Sequence, residues 1–256
     1  MNEKAMLDLK KLAAELSVDG PAKHKAKLIL QRTAALVGAP GADDARKKLA
    51  EAVANFLAAT KVESGRRIHQ QPLDESAGRR ELCRFLGEIA GPDEVAPLTK
   101  LIDDLEVREP VRAVLQEIAG DAAAAALASI VLSGDGSRFR LGAIAALGRR
   151  TGAVATEALR KSADDPDPRI RAAAAAAMAN GAEPGFDGVI QAALDPAKGV
   201  AAHADANRLR LRLASNLAKA GRKNEAKRIF DAVAAGPHEA CCKKAVAAGL
   251  KALGGQ

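Results

Sequence analysis

Six apolar residues close six similar phrases along this chain, and their spacing limits the fold more than any other feature. Ile89, Ile118, Leu147, Met178, Leu217 and Leu250 fall in RRELCRFLGEIAG, REPVRAVLQEIAG, RFRLGAIAALGRR, RIRAAAAAAMANG, RLRLRLASNLAKAG and CKKAVAAGLKALGG. Successive anchors lie 29, 29, 31, 39 and 33 residues apart. Recurrence at this period marks a stack of helix pairs, in which each unit buries its apolar face against its neighbours. Such a stack builds a long surface rather than a deep pocket, so the chain is expected to bind rather than to catalyse.

Each anchored phrase reads as the second helix of a pair, with a shorter first helix before it. DEVAPLTKLIDD, DAAAAALASIVLSG, GAVATEALRKSADD, PGFDGVIQAALD and RKNEAKRIFDAVAAG are the expected first helices. Their apolar residues recur at helical spacing, and Leu98 and Leu127 hold the same place in two of them. Gly91 before Pro92 reads as a helix stop, because glycine tolerates the left-handed conformation and proline cannot continue a helix. In Asp165-Pro166-Asp167-Pro168, Asp167 is placed to cap a helix that Pro168 opens. The 39-residue interval holds an insertion at 194–207, expected to be a longer loop or an added short helix. Residues 1–76 repeat less clearly: helices are expected near 3–16, 22–37 and 43–60 and a connection at 61–74, the whole serving as degenerate or capping helices. The expected domain is thus one array over 1–256, with clear repeats in 77–256.

Composition agrees with an all-α chain. Apolar residues make up 48% of it but aromatics only 2%, so much of the core is alanine, which favours helices in close approach. Runs of β-branched and aromatic residues that strands need are missing. No stretch approaches the roughly 18 apolar residues of a membrane span. The first residues alternate charge with apolar side chains and lack the apolar core of a signal peptide. Cys83, Cys241 and Cys242 lack disulfide-framework spacing, which leans localisation towards the reducing cytoplasm. A monomer is the expected state.

The phrase DDPDPRIRAAAAAAMANGA at 164–182 closely resembles the HEAT-repeat consensus, in the short form of about 30 residues known from phycobilisome-lyase-like arrays. SGDGSRFRLGAIAALGRR at 133–150 matches next best. The resemblance covers 77–256 by sequence and 1–76 by architecture only. It implies a right-handed α-α superhelix. It does not imply one activity, since such arrays serve as adaptors, cofactor-lyase scaffolds, a DNA-repair fold and accessory modules of bacterial proteins. It also implies a ladder in which a turn aspartate meets a second-helix arginine of a neighbouring unit, with Asp165 or Asp167 and Arg171 resembling such a pair. Basic residues recur in the second helices at Arg80, Arg84, Arg112, Arg140, Arg171, Arg212 and Lys244. Those before residue 200, including Arg112, Arg140 and Arg171, are read as structural. A guanidinium fork suits the role, because it satisfies carboxylates and helix-end carbonyls together.

The net charge of +7 is unevenly placed. Residues 1–199 carry 28 basic and 28 acidic side chains, whereas residues 200–256 carry 11 basic and 4 acidic. Arg208, Arg212 and Lys219, continued by Arg222, form a basic stripe beside Leu209, Leu213 and Leu217. Lys223 and Lys227 lie four apart, and Lys244 and Lys251 seven apart. Such a stripe reads either as a solvated face or as a patch for phosphates, nucleic acid or an acidic protein segment. Without Trp or Tyr the chain lacks the platforms on which single-strand binders stack bases. Contact through Lys and Arg to a nucleic-acid backbone would be steeply salt-dependent.

Catalytic signals are weak, and no catalytic residue, metal ligand or cofactor is assigned. His24, His69, His203 and His238 share no repeat position. A HEAT-fold di-iron hydroxylase family uses several His-Glu pairs at repeat spacing, and only His238-Glu239 occurs here. HExxH, GxSxG and the phosphate-binding GxxxxGK[ST] are absent. Cys241 and Cys242 open the last helix, where a dipole lowers a thiol pKa, but adjacent side chains diverge too far to share a metal. The reading is a non-catalytic protein-binding scaffold acting through its second helices. The alternatives are a polyanion- or nucleic-acid-binding array and a degenerate cofactor-lyase or repair-type enzyme.

Overall fold

Helix starts are set by a few local devices. Asp8 accepts the backbone N–H of Lys11, and Asp167 accepts that of Arg169 with Pro168 in the first turn. Gly152 and Gly221, at φ of 118° and 80°, turn the chain between helices in a conformation costly to any residue with a Cβ. The computed structural model describes residues 8–60, 75–133, 138–195, 203–236 and 240–254. It is all-α, with fourteen α-helices and no strand among the described residues. The connection expected at 61–74 and residues 196–202 of the 194–207 insertion lie outside them, while 203–207 open α12. The chain divides into two compact units, Met1–Ala126 and Leu127–Gln256.

The first unit contains α1 (Leu9–Ser17), α2 (Pro21–Val37), α3 (Asp43–Ala59), α4 (Glu75–Ile89), α5 (Val95–Thr99) and α6 (Arg108–Glu117). Helix α4 is its centre, packed against α1, α3 and α6. The α1–α4 approach is so close that a Cβ on Gly78 would meet the Ala13 backbone, and the Gly78 N–H instead donates to Ser17 Oγ at 3.0 Å. The helix expected over DEVAPLTKLIDD is reduced to one 3-10 turn, Pro92–Glu94, and the five residues of α5. The reason lies at both ends. Glu94 turns back to accept the Gly91 N–H at 2.6 Å, and Asp104 is committed to a buried ion pair in the following turn. Gly91 itself is extended, at φ −131°, rather than left-handed. What closes α4 there is Arg46, whose guanidinium donates to the Ile89 carbonyl at 2.7 Å.

Helix α7 (Asp121–Leu132) leads into the second unit, which continues with α8 (Arg138–Leu147), α9 (Ala153–Ser162) and α10 (Pro168–Ala179). Then follow α11 (Phe186–Ala193), α12 (His203–Lys219), α13 (Lys223–Ala235) and α14 (Ala240–Gly254). The second helices pack in succession, α8 on α10, α10 on α12 and α12 on α14. The first helices α9, α11 and α13 each pack on the second helix that follows. Five of the six anchors are buried, from Ile89 to Leu217, and so are Leu98 and Leu127. Leu250 is only half-buried, because no further helix among the described residues covers α14. The small-residue composition shows in the contacts. A Cβ on Gly148, just after α8, would come within 2.7 Å of the Ala177 Cβ of α10, and one on Gly249 would enter the Phe230 ring.

Candidate functional site: a basic layer of second helices

Arginine takes two roles on the second helices, separated by the helical period. Arg79, Arg140, Arg171 and Arg210 each lie seven residues before a fully buried Leu86, Leu147, Met178 or Leu217. Seven residues are about two turns, so each arginine shares the core face with that buried residue. All four are buried, and a buried charge is costly unless it is paired or hydrogen-bonded.

The partners repeat. Arg79 donates to Asp104 at 2.6 Å and to the Leu57 carbonyl at 3.3 Å. Arg140 bonds Asp165 and donates to the Val131 carbonyl at 2.8 Å. Both pairs span 25 residues, and in both the other aspartate oxygen accepts an N–H two residues on, from Glu106 or Asp167. Arg171 donates to the Asp165 and Pro166 carbonyls at 2.8 and 3.0 Å. Arg210 forks onto both oxygens of Asp187 at 2.6 and 3.0 Å.

This revises the expected ladder. Asp165 receives Arg140 from the preceding second helix, while the bonds of Arg171 described above go to carbonyls of the turn between α9 and α10. Asp167 caps α10 and holds Arg169, whose guanidinium keeps that carboxyl below the ordinary aspartate range. Arg112 turns to Glu109 and Gln116 on its own helix, because the position seven before Ile118 is Val111. Arg79 and Arg210 are the ladder residues that sequence reading misses; it singles out Arg80 and Arg84 on α4 and places Arg208 and Arg212 of α12 in the basic stripe. The signal for Arg210 is its seven-residue offset from the anchor Leu217; Arg79 keeps the same offset from the buried Leu86, which is not an anchor.

The exposed residues form the second set. Second helices α8, α10, α12 and α14 carry two, two, four and three basic residues, of which eight are exposed once the buried Arg140, Arg171 and Arg210 are set aside, against one acidic residue, Asp205. First helices α9, α11 and α13 together carry five basic and four acidic residues, and α4 and α6 carry five of each. The positive charge of the second unit is therefore segregated onto its second-helix layer.

Within that layer Arg208, Arg212 and Lys219 are exposed on one stripe of α12, within about 40° around the helix axis. Arg212 reaches Asn180 of α10 at 3.4 Å, and Arg208 and Lys219 form no ion pair among the described residues. The buried face of α12 runs through Leu211, Leu213 and Leu217, with Leu209 half-buried. Arg222 leaves the stripe. It stands at the N-cap of α13, bonded to Glu225 at 3.3 Å and to the Ala182 carbonyl at 3.4 Å. Lys223 and Lys227 are exposed on α13, a first helix, and Lys227 is paired with Asp231 at 2.7 Å. Lys244 and Lys251 are exposed on α14, in the basic layer.

Three exposed arginines of the layer, Arg138, Arg149 and Arg169, were not singled out from sequence. Arg138, Arg169 and Arg208 each lie two residues before a ladder arginine, and Arg149 and Lys219 each lie nine after one. Of the histidines, His24 is exposed on α2, whereas His69, His238 and the side chain of His203 lie outside the described residues. So do Glu239 and the side chain of Cys241. Cys83 is buried, and burial pushes its thiol up to about 12. Among the described residues no three His, Cys, Asp or Glu side chains converge as metal ligands, and no helix is long and apolar enough to cross a membrane.

Set against known proteins, the sequence matches no family model and no curated protein. Among solved structures the chain is similar to human deoxyhypusine hydroxylase in complex with glycerol, at 17% identity over 97% of this chain and 96% of that one. The TM-score is 0.36, too loose a likeness to carry an argument about either architecture or activity.

Proposed function

We propose that this chain is a non-catalytic binding array, a right-handed HEAT-like superhelix over 1–256 that holds another protein on the exposed face of its second helices. The observation that carries the reading is the segregation of charge: α8, α10, α12 and α14 carry eight exposed basic residues, besides the buried Arg140, Arg171 and Arg210, and one acidic residue, whereas the first helices are balanced. Pure solvation does not require such one-sidedness, and like charges on neighbouring helices repel. A surface that keeps them is built for an anionic partner. Arg208, Arg212 and Lys219 are the centre of that surface, and Lys244 and Lys251 extend it. The same charge supports a second reading, binding of a nucleic-acid or other polyanion backbone.

The test is charge reversal of Arg208, Arg212 and Lys219 to Glu, with Lys25, Arg32 and Lys48 of the first unit reversed as the control. Binding of heparin, duplex DNA and an acidic protein segment is measured at low and physiological salt. Loss of binding by the first set alone supports a local surface. Equal loss by both sets means that net charge alone attracts anions and that the face has no binding role.

A further inference from the structure

Rows of equivalent residues cross α8, α10 and α12, offset by the same 31 and 39 residues that separate their anchors. Arg138, Arg169 and Arg208 form one exposed row, and Arg149, Asn180 and Lys219 a second. Eleven residues separate the two rows, Arg149 and Asn180 standing just past the ends of α8 and α10, which at the helical rise of 1.5 Å per residue is about 16 Å. Between them the surface is low. Gly142 and Ala145 on α8, Ala173 and Ala176 on α10, and Ser215 on α12 end at or near Cβ, and half-buried Leu141 makes part of this floor apolar. On α12 the floor rises into Arg212, steadied by Asn180.

We propose that this trough receives an acidic α-helix of a partner protein, laid across α8, α10 and α12 with carboxylates on both flanks and small apolar residues beneath. The proposal rests on the binding-array reading above and names its ligand. The dimensions support it, since a helix with its side chains is about 10–12 Å across and fits between rows about 16 Å apart. Three adjacent helices at about 8–10 Å spacing give a floor on the order of 20–30 Å long, enough for four to five turns. Arg138 and Arg208 on one rim and Arg149 on the other suit bidentate pairing with carboxylates, Arg169 being already forked onto Asp167, and Lys219 adds a charge. The floor distinguishes a helix from a nucleic acid. A phosphate backbone has no use for alanine and leucine, and a single strand would need aromatic platforms, which this face lacks.

The probe is a synthetic 20-residue helix with Ala and Leu along one face and Glu on both flanks, titrated by fluorescence anisotropy against the full chain. A scrambled peptide of the same composition and a 20-base-pair DNA duplex are compared under the same salt. The designed helix is expected to bind at least tenfold tighter than the scrambled peptide. Ala173→Phe, which fills the floor without touching charge, is expected to weaken it at least tenfold with helical content unchanged. Ala176→Gln is the second floor variant should Ala173→Phe unfold. Arg149→Glu combined with Arg169→Glu should weaken it as far. If the scrambled peptide binds as well as the helix, if the duplex binds tighter, or if the folded floor variants bind normally, the trough proposal falls while an anion-binding array stands. If none of the probes binds, the array reading falls with it.

Discussion

Arg140 and Asp165 join two successive units of the second half of the chain, and Arg79 and Asp104 reproduce the arrangement in the first half at the same 25-residue separation. In each case one carboxylate oxygen takes the guanidinium and the other shapes the turn by accepting an N–H two residues on. The aspartate thus sets the turn between helices and the attachment of the previous unit together. Removing one member of such a buried pair leaves the other charge uncompensated, at a cost of about 3–5 kcal/mol. Asp165→Ala should show that loss in urea unfolding, and Asp165→Ala with Arg140→Met should recover part of it. A single variant as stable as the parent would mean that the pair does not fix the turn.

Gly148 tests the close packing that an alanine-rich core permits. A methyl group there would sit 2.7 Å from the Ala177 Cβ and 2.9 Å from its Cα, so backbone and not a flexible tip must yield. Overpacking of this kind costs about 1–3 kcal/mol. Gly148→Ala should lower the unfolding midpoint accordingly. Ala177→Gly in the same chain should relieve part of the strain, which a simple loss of contact would not do.

Much of this fold is legible in the sequence because the repeat carries its own register. The anchors, the caps at Asp167 and Pro168, and the first helices at α9, α11 and α13 all follow from periodicity and turn residues. Pairing is harder to read. Asp165 lies six residues from Arg171 and 25 from Arg140, and nothing along the chain says that the farther arginine takes the carboxylate. Faces are harder still. Arg169 and Arg171 look alike in DPDPRIRA, yet one is 71% exposed and the other buried, and only the packing of α10 on α8 and α12 separates them. For the same reason Arg222 reads as part of the α12 stripe until the turn at Gly221 carries it to α13.

Cys83 gives a pH signature. Its thiol is fully buried, and desolvation raises its pKa from the ordinary 9.0 to about 12. Below pH 9 the thiol is protonated in both folded and unfolded chains and contributes no pH dependence. Between pH 9 and about 12 the unfolded chain releases the proton and the folded one keeps it, so stability falls by about 1.4 kcal/mol per pH unit from this group. Cys83→Ala should therefore lose less stability than the parent between pH 9 and pH 10.5. The native thiol should also resist a disulfide reagent until the chain unfolds. A Cys83 that reacts rapidly in the folded protein would show that α4 opens locally.

The last prediction sets binding against stability at Arg138. This arginine opens α8, whose first turn contains no acidic residue, and there it meets the positive end of the helix dipole. A cation in that place is unfavourable, and an acidic side chain is favourable by about 0.3–1 kcal/mol at an exposed site. Were Arg138 only a solvated charge, selection for stability alone would disfavour it. Arg138→Glu should raise the unfolding midpoint slightly while weakening the acidic helical probe, because it breaks the row with Arg169 and Arg208. Arg169→Glu should weaken the probe likewise but without stabilising, since Arg169 is already compensated by Asp167 at 2.8 Å. Thermal unfolding and anisotropy on the same two proteins decide the matter. An Arg138→Glu chain that is more stable and binds as before would place Arg138 outside the binding surface and leave the row with two members.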